Sequence, residues 1–208
     1  MSREAVAKFN MIEQQIRPWE VLDNRVLSTL QQLDRIDFVG DSYRGLAYAD
    51  CQIPVNQQVR MLPPTVEGRM LQALVVEDSD SALVIGCANG YISACLAKLA
   101  QQVVAIDQDQ ILLEKAEQNI QQCSLNNVTF KQQSINQVET APEYDVIAVT
   151  ASLNSIPESL KLALKTGGRL FVVVGKSPAM QAMLITRVAD KEWTTRSLFE
   201  TDLPRLPG

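Results

Sequence analysis

Histidine is absent from the sequence, and this absence removes the commonest general base of enzymes. A Ser-His-Asp or Cys-His catalytic arrangement is therefore excluded. The four cysteines show no paired short spacing, so a zinc site would have to combine scattered thiolates and carboxylates. We expect no metal site in this chain.

Long apolar runs and clusters of basic residues are also missing. No stretch reaches the roughly eighteen consecutive apolar residues of a membrane-spanning helix. The N-terminus carries polar and acidic side chains where a signal peptide needs an apolar core. The formal net charge is −5 with no run of Lys or Arg, which disfavours a nucleic-acid partner. We expect a cytoplasmic protein that binds neither membranes nor nucleic acid.

The length of 208 residues and the hydrophobic content of 46% predict one α/β domain with an elaboration. The elaboration is N-terminal, where the chain is helical and rich in loops. Asp23 is placed to cap a helix whose apolar residues run from Val26 to Leu33. Prolines between Tyr43 and Pro64 exclude a long helix there, and the next predicted helix ends at Leu74.

From Ser81 onward, short apolar runs alternate with segments of helical periodicity. This alternation is typical of a doubly wound, mostly parallel sheet. The predicted strands are Ala82–Gly86, Val103–Asp107, Val128–Gln132, Asp145–Thr150 and Arg169–Gly175.

Three helices are predicted between these strands. The third of them should end at a glycine cap, Gly167-Gly168. Met183–Ala189 and Trp193–Phe199 have no helix between them, so we expect an antiparallel pair at the edge of the sheet. The predicted helices are Tyr91–Leu99, Gln110–Gln122 and Pro157–Lys165.

Ligands of such sheets bind at the carboxyl ends of the strands, and three strand ends carry small or polar residues. The first is the turn from Gly86 to Gly90, which leads into a helix with free N-terminal N–H groups. The second is Asp107, which lies 21 residues after Gly86 and suits the hydroxyls of a ribose. The third lies around Ser134 and Ile135.

The first turn argues against a dinucleotide ligand. Such a ligand needs glycine where this chain has Ala88 and Tyr91. Gly86 and Gly90, with Asp107 after the next strand, fit an adenosyl ligand that has no pyrophosphate. The alternative is that the two glycines only shape a tight turn and that Asp107 is a solvated strand end.

The order of several motifs along the chain is more specific than this turn alone. Residues 83–91, Leu-Val-Ile-Gly-Cys-Ala-Asn-Gly-Tyr, resemble the first motif of the protein-L-isoaspartate O-methyltransferases, which use S-adenosylmethionine. The resemblance covers roughly residues 8–176. Its other segments are Met11–Arg17, Val21–Leu27, Asp37–Val39, Ala47–Asp50, Tyr144–Ala151, Ile156–Pro157, Leu164–Leu170 and Val174–Gly175.

The resemblance implies a Rossmann-like methyltransferase. Residues 1–75 would form an N-terminal helical, substrate-side segment, and residues 76–208 the S-adenosylmethionine-binding core. The implied reaction methylates the carboxylate of L-isoaspartyl residues in damaged proteins, which allows repair through a succinimide. A carboxyl group with a pKa of about 3.3–3.9 is already ionised at neutral pH, so no base is needed. The implied cofactor-binding residues are Gly86, Cys87, Ala88, Asn89, Gly90, Tyr91, Asp107, Gln108, Ser134, Ile135 and Thr150.

The chain departs from the family pattern around the cofactor. Val84 stands where the family has an acid, and this change weakens the attraction for a cationic ligand. Ala88 replaces the middle glycine of the first motif. Ser134 stands where the family has an Asp that contacts the adenine, and a hydroxyl retains one hydrogen bond but not the charge-assisted one.

A fourth departure lies in the active-site segment. The family segment Pro-Ile-Gly-x-Gly-Gln-Thr-Ile-Ser-x-Pro corresponds to residues 54–64 here. Leu62 then stands at the position of the serine associated with catalysis, and Asn56 and Gln58 replace the glycines. The residues expected at the active site are Val59, Arg60, Met61 and Leu62.

Two arginines could bind the substrate, and two functions other than isoaspartyl methylation are open. Arg60 and Arg17 are candidates for binding a substrate carboxylate, and the alternative for each is a solvated surface arginine.

A degenerate family member would bind a nucleoside or protein ligand without turnover, which Leu62 favours. A nitrogen or nucleic-acid methyltransferase is disfavoured, because Thr150–Leu153 lacks the Asp/Asn-Pro-Pro-Tyr pattern typical of such enzymes.

Overall fold

A seven-stranded sheet forms the centre of the structure, a computed structural model that describes residues 2–207. The strand order is β5-β4-β3-β6-β7-β8-β9, parallel from β5 to β7 and antiparallel from β7 to β9. A separate hairpin, β1 and β2, precedes it. The strands are β1 Ile53–Pro54, β2 Arg60–Met61, β3 Ser81–Ile85, β4 Gln102–Asp107, β5 Val128–Gln132, β6 Tyr144–Leu153, β7 Leu164–Lys176, β8 Ala179–Ala189 and β9 Glu192–Thr201.

Helices cover both faces of the sheet and build the N-terminal segment. A π-helical turn, Met11–Ile16, follows the first helix, and short 3₁₀ helices span Arg17–Trp19, Arg35–Phe38, Asp41–Leu46 and Ile135–Gln137. The α-helices are α1 Arg3–Asn10, α2 Asn24–Gln32, α3 Pro64–Leu74, α4 Tyr91–Leu99, α5 Gln110–Gln122 and α6 Glu158–Leu162. Within residues 2–207, no helix combines the length and apolarity needed to cross a membrane.

The predicted fold is confirmed: a doubly wound, mostly parallel sheet carries an N-terminal helical segment and an antiparallel edge. Asp23 caps α2 as predicted, since its carboxylate accepts hydrogen bonds from the N–H groups of Arg25 and Val26 at 2.8 and 3.1 Å. α4 and α5 have the predicted bounds. The edge strands β8 and β9 are longer than the predicted segments.

The predicted helix Pro157–Lys165 is wrong in its last three residues and in its glycine cap. α6 ends at Leu162, and Leu164 already pairs with Tyr144 in β6. The carbonyl of Ala163 accepts hydrogen bonds from the N–H groups of Glu143 and Tyr144, which draws the chain into the sheet. Gly167 and Gly168 therefore lie inside the irregular start of β7 rather than at a helix end.

The core lies on the two faces of the sheet, because side chains of a strand alternate between faces. Leu83 and Ile85 of β3 pack on the α6 side. Ala82 and Val84 belong to a larger cluster, which also contains Met11, Leu30 and Leu74 of the N-terminal segment. This segment and the sheet therefore share one core. The division at residues 75 and 76 stays a prediction.

Candidate functional site

The loop between β3 and α4 is tightly folded at the carboxyl edge of the sheet. Gly86 and Gly90 have φ values of +78° and +88°, which glycine adopts without strain. A Cβ on Gly90 would lie 3.0 Å from the carbonyl oxygen of Ala116 in α5. Ala88, which replaces a family glycine, also adopts a positive φ of +48°. The loop thus keeps the backbone path of a glycine-rich turn.

Asn89 and Tyr91 use their side chains inside the protein. The Asn89 amide donates a hydrogen bond to the carbonyl of Phe38 at 2.9 Å and lies 3.0 Å from the sulfur of Met61. The Tyr91 ring is buried edge-on against Phe38, with ring centroids 5.1 Å apart. These contacts fasten the loop to the N-terminal segment and the β1–β2 hairpin.

Asp107 ends β4 beside this loop. One carboxylate oxygen accepts a hydrogen bond from the N–H of Asp109 at 3.0 Å. The other lies 3.7 Å from the sulfur of Cys87. Burial, followed by the negative charge of Asp107, raises the pKa of the Cys87 thiol far above its ordinary value. Cys87 is therefore a neutral thiol and not a nucleophile, and Asp107 retains capacity to accept hydrogen bonds.

The third predicted strand end lies next to Asp107. Ser134 caps the 3₁₀ turn that contains Ile135 and accepts a hydrogen bond from the N–H of Asn136 at 3.2 Å. The side-chain amide of Gln108 lies 3.4 Å from the Ser134 hydroxyl. Gln108 and Ser134 therefore continue the polar edge that Asp107 begins.

Thr150 joins β6 to the cofactor loop. Its hydroxyl donates to the carbonyl of Gly86 and lies 3.3 Å from that of Ile85. A Cβ on Gly86 would lie 3.0 Å from this hydroxyl. The ends of β3 and β6 are therefore held together at the floor of the cleft.

A buried ion pair joins the 3₁₀ helix Arg35–Phe38 to α3 beside the end of the β1–β2 hairpin. Arg35 and Glu67 are 0% and 1% exposed, and the Arg35 Nε lies 2.9 Å from a Glu67 oxygen. Arg35 also donates to the carbonyls of Leu62 and Ala47. Burial raises the pKa of Glu67, and the Arg35 charge opposes this shift. Removing one member of such a pair typically costs about 3–5 kcal/mol, so the Arg35 guanidinium that binds the Leu62 carbonyl after β2 is firmly held.

The predicted active-site residues divide into two pairs. Met61 and Leu62 have buried side chains in the larger core cluster. Val59 and Arg60 line a cleft together with Gly86, Asp107 and Thr150. Leu62 thus presents no polar group to the cleft.

The two candidate arginines lie in different places. Arg60 is exposed at the cleft that contains Asp107. Arg17 lines a separate cleft beside α1 and pairs with Glu13 at 2.9 Å. The structure thus brings Arg60, and not Arg17, to the predicted cofactor site.

Sequence reasoning missed one group of lining residues. Ala151 and residues 204–207 also line the cleft. The family resemblance ended near residue 176, and the signal from Pro204 and Pro207 predicts only an extended chain. Nothing in that pattern indicates which edge of the sheet the chain crosses.

Comparisons with known proteins identify the family of this chain. The family model for protein-L-isoaspartate(D-aspartate) O-methyltransferase (PCMT) matches residues 6–202. A protein-L-isoaspartate O-methyltransferase of Rhodopseudomonas palustris is 31% identical over 200 residues, which cover 95% of this chain and 92% of the relative. One from Ruegeria pomeroyi is 36% identical over 174 residues, which cover 83% of this chain and 80% of the relative.

A solved structure has the same fold over the whole chain. It comes from Plasmodium falciparum and is described as a candidate protein-L-isoaspartate O-methyltransferase in complex with S-adenosyl-L-homocysteine. The TM-score is 0.81 at 19% identity, with 100% of this chain and 99% of that chain covered. The family match over residues 6–202 and the two relatives from Rhodopseudomonas palustris and Ruegeria pomeroyi show that the chain belongs to the protein-L-isoaspartate(D-aspartate) O-methyltransferase family.

Proposed function

We propose that this protein transfers a methyl group from S-adenosylmethionine to the carboxylate of L-isoaspartyl residues in damaged proteins. The relatives that match most of the chain carry the name of this activity. The observation that carries the proposal is the cleft in which Asp107, the Gly86 turn and Arg60 meet. In this cleft Asp107 would accept hydrogen bonds from a nucleoside, and Arg60 would bind a carboxylate.

The residues around the cleft fit an adenosyl cofactor. Asp107 would accept hydrogen bonds from the ribose hydroxyls, and Gln108 and Ser134 would extend this polar edge toward the base. Gly86, which has no side chain, allows close approach of a ligand to the backbone. When bound, S-adenosylmethionine supplies an electrophilic methyl group on a sulfonium centre.

Arg60 is the residue that we assign to the substrate. Its guanidinium makes no ion pair within residues 2–207, and it lines the same cleft as Asp107. A guanidinium binds a carboxylate through two parallel hydrogen bonds. Arg60 would therefore orient the isoaspartyl carboxylate at the mouth of the cleft.

The chemistry needs alignment rather than a base, because the attacking carboxylate is ionised at neutral pH. The chain contains no histidine, and the buried Leu62 adds no hydroxyl to the cleft. Holding the carboxylate against the methyl group and excluding water from both would then supply the rate enhancement.

The test is binding followed by turnover. Calorimetry with S-adenosylmethionine and S-adenosylhomocysteine measures the affinity for the cofactor. Methyl transfer is then measured to a peptide with one isoaspartyl residue, and the same peptide with a normal aspartyl residue is the control. We expect binding of both nucleosides and methylation of the isoaspartyl peptide alone. No binding at millimolar nucleoside would contradict the proposal.

A second candidate is a family member that binds the nucleoside without turnover. The observation that favours it is Leu62, whose side chain is buried and apolar where the family has a serine. The same experiment separates the two functions, because this candidate predicts nucleoside binding and no methylation of either peptide.

We further propose a protein partner in a reducing compartment such as the cytoplasm. The net charge of −5 disfavours nucleic acid. The four cysteines are free thiols, as is usual where disulfides do not persist.

A further inference from the structure

Residues 203–207, which we name the strap, cross the carboxyl edge of the sheet after β9. The strap follows the end of β6 like a short added strand. Ser152 donates its N–H to the carbonyl of Pro204 at 2.9 Å, and Leu206 donates its N–H to the carbonyl of Ser152 at 3.0 Å. The Ser152 hydroxyl donates to the carbonyl of Leu203 at 2.8 Å. Backbone pairing therefore fixes the path of the strap.

Arg205 fastens the strap to two strands. Its guanidinium donates hydrogen bonds to the carbonyls of Leu153 at the end of β6 and of Gly175 in β7. Beyond it, the carbonyl of Pro207 lies 3.5 Å from the side-chain amide of Gln108. The strap thus extends from the ends of β6 and β7 toward the end of β4.

Leu206 lies directly over the glycine at the start of the cofactor loop. A Cβ built on Gly86 would lie only 2.8 Å from the Leu206 Cδ1. The open side of Gly86, which a ligand would approach, is therefore occupied by this leucine. Asp107 and Arg60 line the same cleft as Leu206.

The space that remains is far smaller than a nucleoside. The cleft has a volume of about 20 Å³, whereas a single water needs roughly 10–15 Å³. Pockets for small organic ligands usually measure about 300–1,000 Å³. S-adenosylmethionine therefore does not fit into the cleft while Leu206 lies against Gly86.

The strap, rather than the β1–β2 hairpin, is the wall of the cleft that covers Gly86. The hairpin is tied to the core through Arg35 and through the contact of Asn89 with Met61. Leu206 is only partly buried and Pro207 is exposed. If residues 204–207 left the cleft, the buried Ser152 would lose its two backbone hydrogen bonds, and Arg205 would lose its contacts with Leu153 and Gly175. The closed strap is therefore the favoured state, and the open strap is the minor one.

We propose that the strap is an internal competitor of the cofactor, which binds only after Leu206 leaves Gly86. The inference rests on the proposed function, since it assigns the cleft to S-adenosylmethionine. Closing of the strap lowers the apparent affinity in proportion to the fraction of molecules that are open. Release of the strap by a partner or by a substitution would therefore raise the affinity.

The test compares the wild-type protein with Leu206→Ala and Arg205→Ala. Arg196→Ala is the matched control, because Arg196 lies elsewhere on β9, in a groove beside Glu20 and Arg69. Calorimetry with S-adenosylhomocysteine should give affinities about tenfold tighter for the two strap variants and an unchanged affinity for the control. Weaker binding by the strap variants would overturn the proposal, because the strap would then be a wall of the binding site.

Hydrogen exchange of the wild-type protein gives an independent readout that needs no substitution. S-adenosylhomocysteine should speed exchange at the N–H groups of Ser152 and Leu206, which the closed strap protects. Slower exchange at both would overturn the strap proposal while the proposed function stands. If neither the wild-type protein nor the strap variants bind the nucleoside, both the strap proposal and the proposed function fail.

Discussion

Asp107 lies where its carboxylate can accept further hydrogen bonds. It ends β4 beside the Gly86 turn, and one oxygen is already used by the N–H of Asp109. The other oxygen has the weak thiol donor of Cys87 at 3.7 Å. A ribose hydroxyl offers this oxygen a stronger donor, and a hydrogen bond to a charged group contributes about 1.5–3 kcal/mol.

We therefore expect Asp107→Asn to weaken S-adenosylhomocysteine binding by about tenfold or more, because the amide keeps the size but loses the charge. Calorimetry measures the change. Asp109→Asn is the control, since Asp109 caps α5 and Asn caps a helix equally well. An equal loss in both variants would show that Asp107 has no special role.

Arg60 and Arg17 form a natural matched pair, because both are exposed and only Arg60 lines the cleft. We expect Arg60→Gln to raise KM for an isoaspartyl peptide by about tenfold or more, since a charge-assisted, bidentate contact is lost. Binding of S-adenosylhomocysteine should stay unchanged. Steady-state kinetics and calorimetry measure the two quantities. The assignment is wrong if Arg17→Gln raises KM as much as Arg60→Gln.

At the scale of whole elements, local signals predicted much of the fold. α4 and α5 have the predicted bounds because their apolar periodicity, and the Asp109 cap that precedes α5, are local signals. The end of α6 could not be predicted in this way. It is decided by pairing of Leu164 with Tyr144, which lies 20 residues earlier in the chain.

Part of the cofactor site could also be predicted from the sequence. Parallel strands end at one edge of a sheet, so the meeting of Gly86 and Asp107 follows from the strand order. The inward orientation of the Asn89 side chain does not follow from the strand order, because its hydrogen-bond partner Phe38 belongs to a distant segment. The strap was missed for the same reason, since Ser152 precedes it by about fifty residues.

Asp145 connects the amino ends of three strands. It accepts hydrogen bonds from the N–H and hydroxyl of Ser81 in β3, each at 2.8 Å, and from Lys165 in β7 at 2.7 Å. Partial burial by itself raises the pKa of Asp145. The hydrogen bonds from Lys165 and Ser81 outweigh burial and hold the pKa below its ordinary value.

The pKa of Asp145 is lower in the folded protein than in the unfolded chain, where it is about 4. The ionised carboxylate therefore stabilises the folded state above about pH 4, and this stabilisation is lost as the pH falls through the pKa of the folded protein. Asp145→Asn should therefore lower the free energy of unfolding by about 1.5–3 kcal/mol at pH 7 and pH 5. The difference from the wild-type protein should shrink below about pH 4. Urea unfolding at each pH measures the free energy of unfolding.

The control is Asp190→Asn. The Asp190 carboxylate pairs with Arg187 but is 84% exposed, so its loss should change the free energy of unfolding by less than about 1 kcal/mol. A pH-independent difference for Asp145→Asn would contradict the argument.

At the scale of the whole molecule, the N-terminal segment and the sheet are joined by their side chains. Met11 and Leu30 belong to the same buried cluster as Val84 and Phe171. A segment that shares its core with a sheet loses that core when the sheet unfolds. We therefore expect one cooperative unfolding transition, although the sequence predicted a division at residues 75 and 76.

The two tryptophans of the chain test this expectation, because they lie in the two parts. Trp19 packs on Phe199 with ring centroids 6.1 Å apart, and the Trp193 indole donates to the carbonyl of Lys161 at 3.0 Å. Trp193→Phe leaves Trp19 as the fluorescent probe, and Trp19→Phe leaves Trp193. In each variant, urea unfolding followed by fluorescence should coincide with unfolding followed by circular dichroism. A Trp19 transition at lower urea than the loss of circular dichroism would instead mean that the N-terminal segment unfolds by itself.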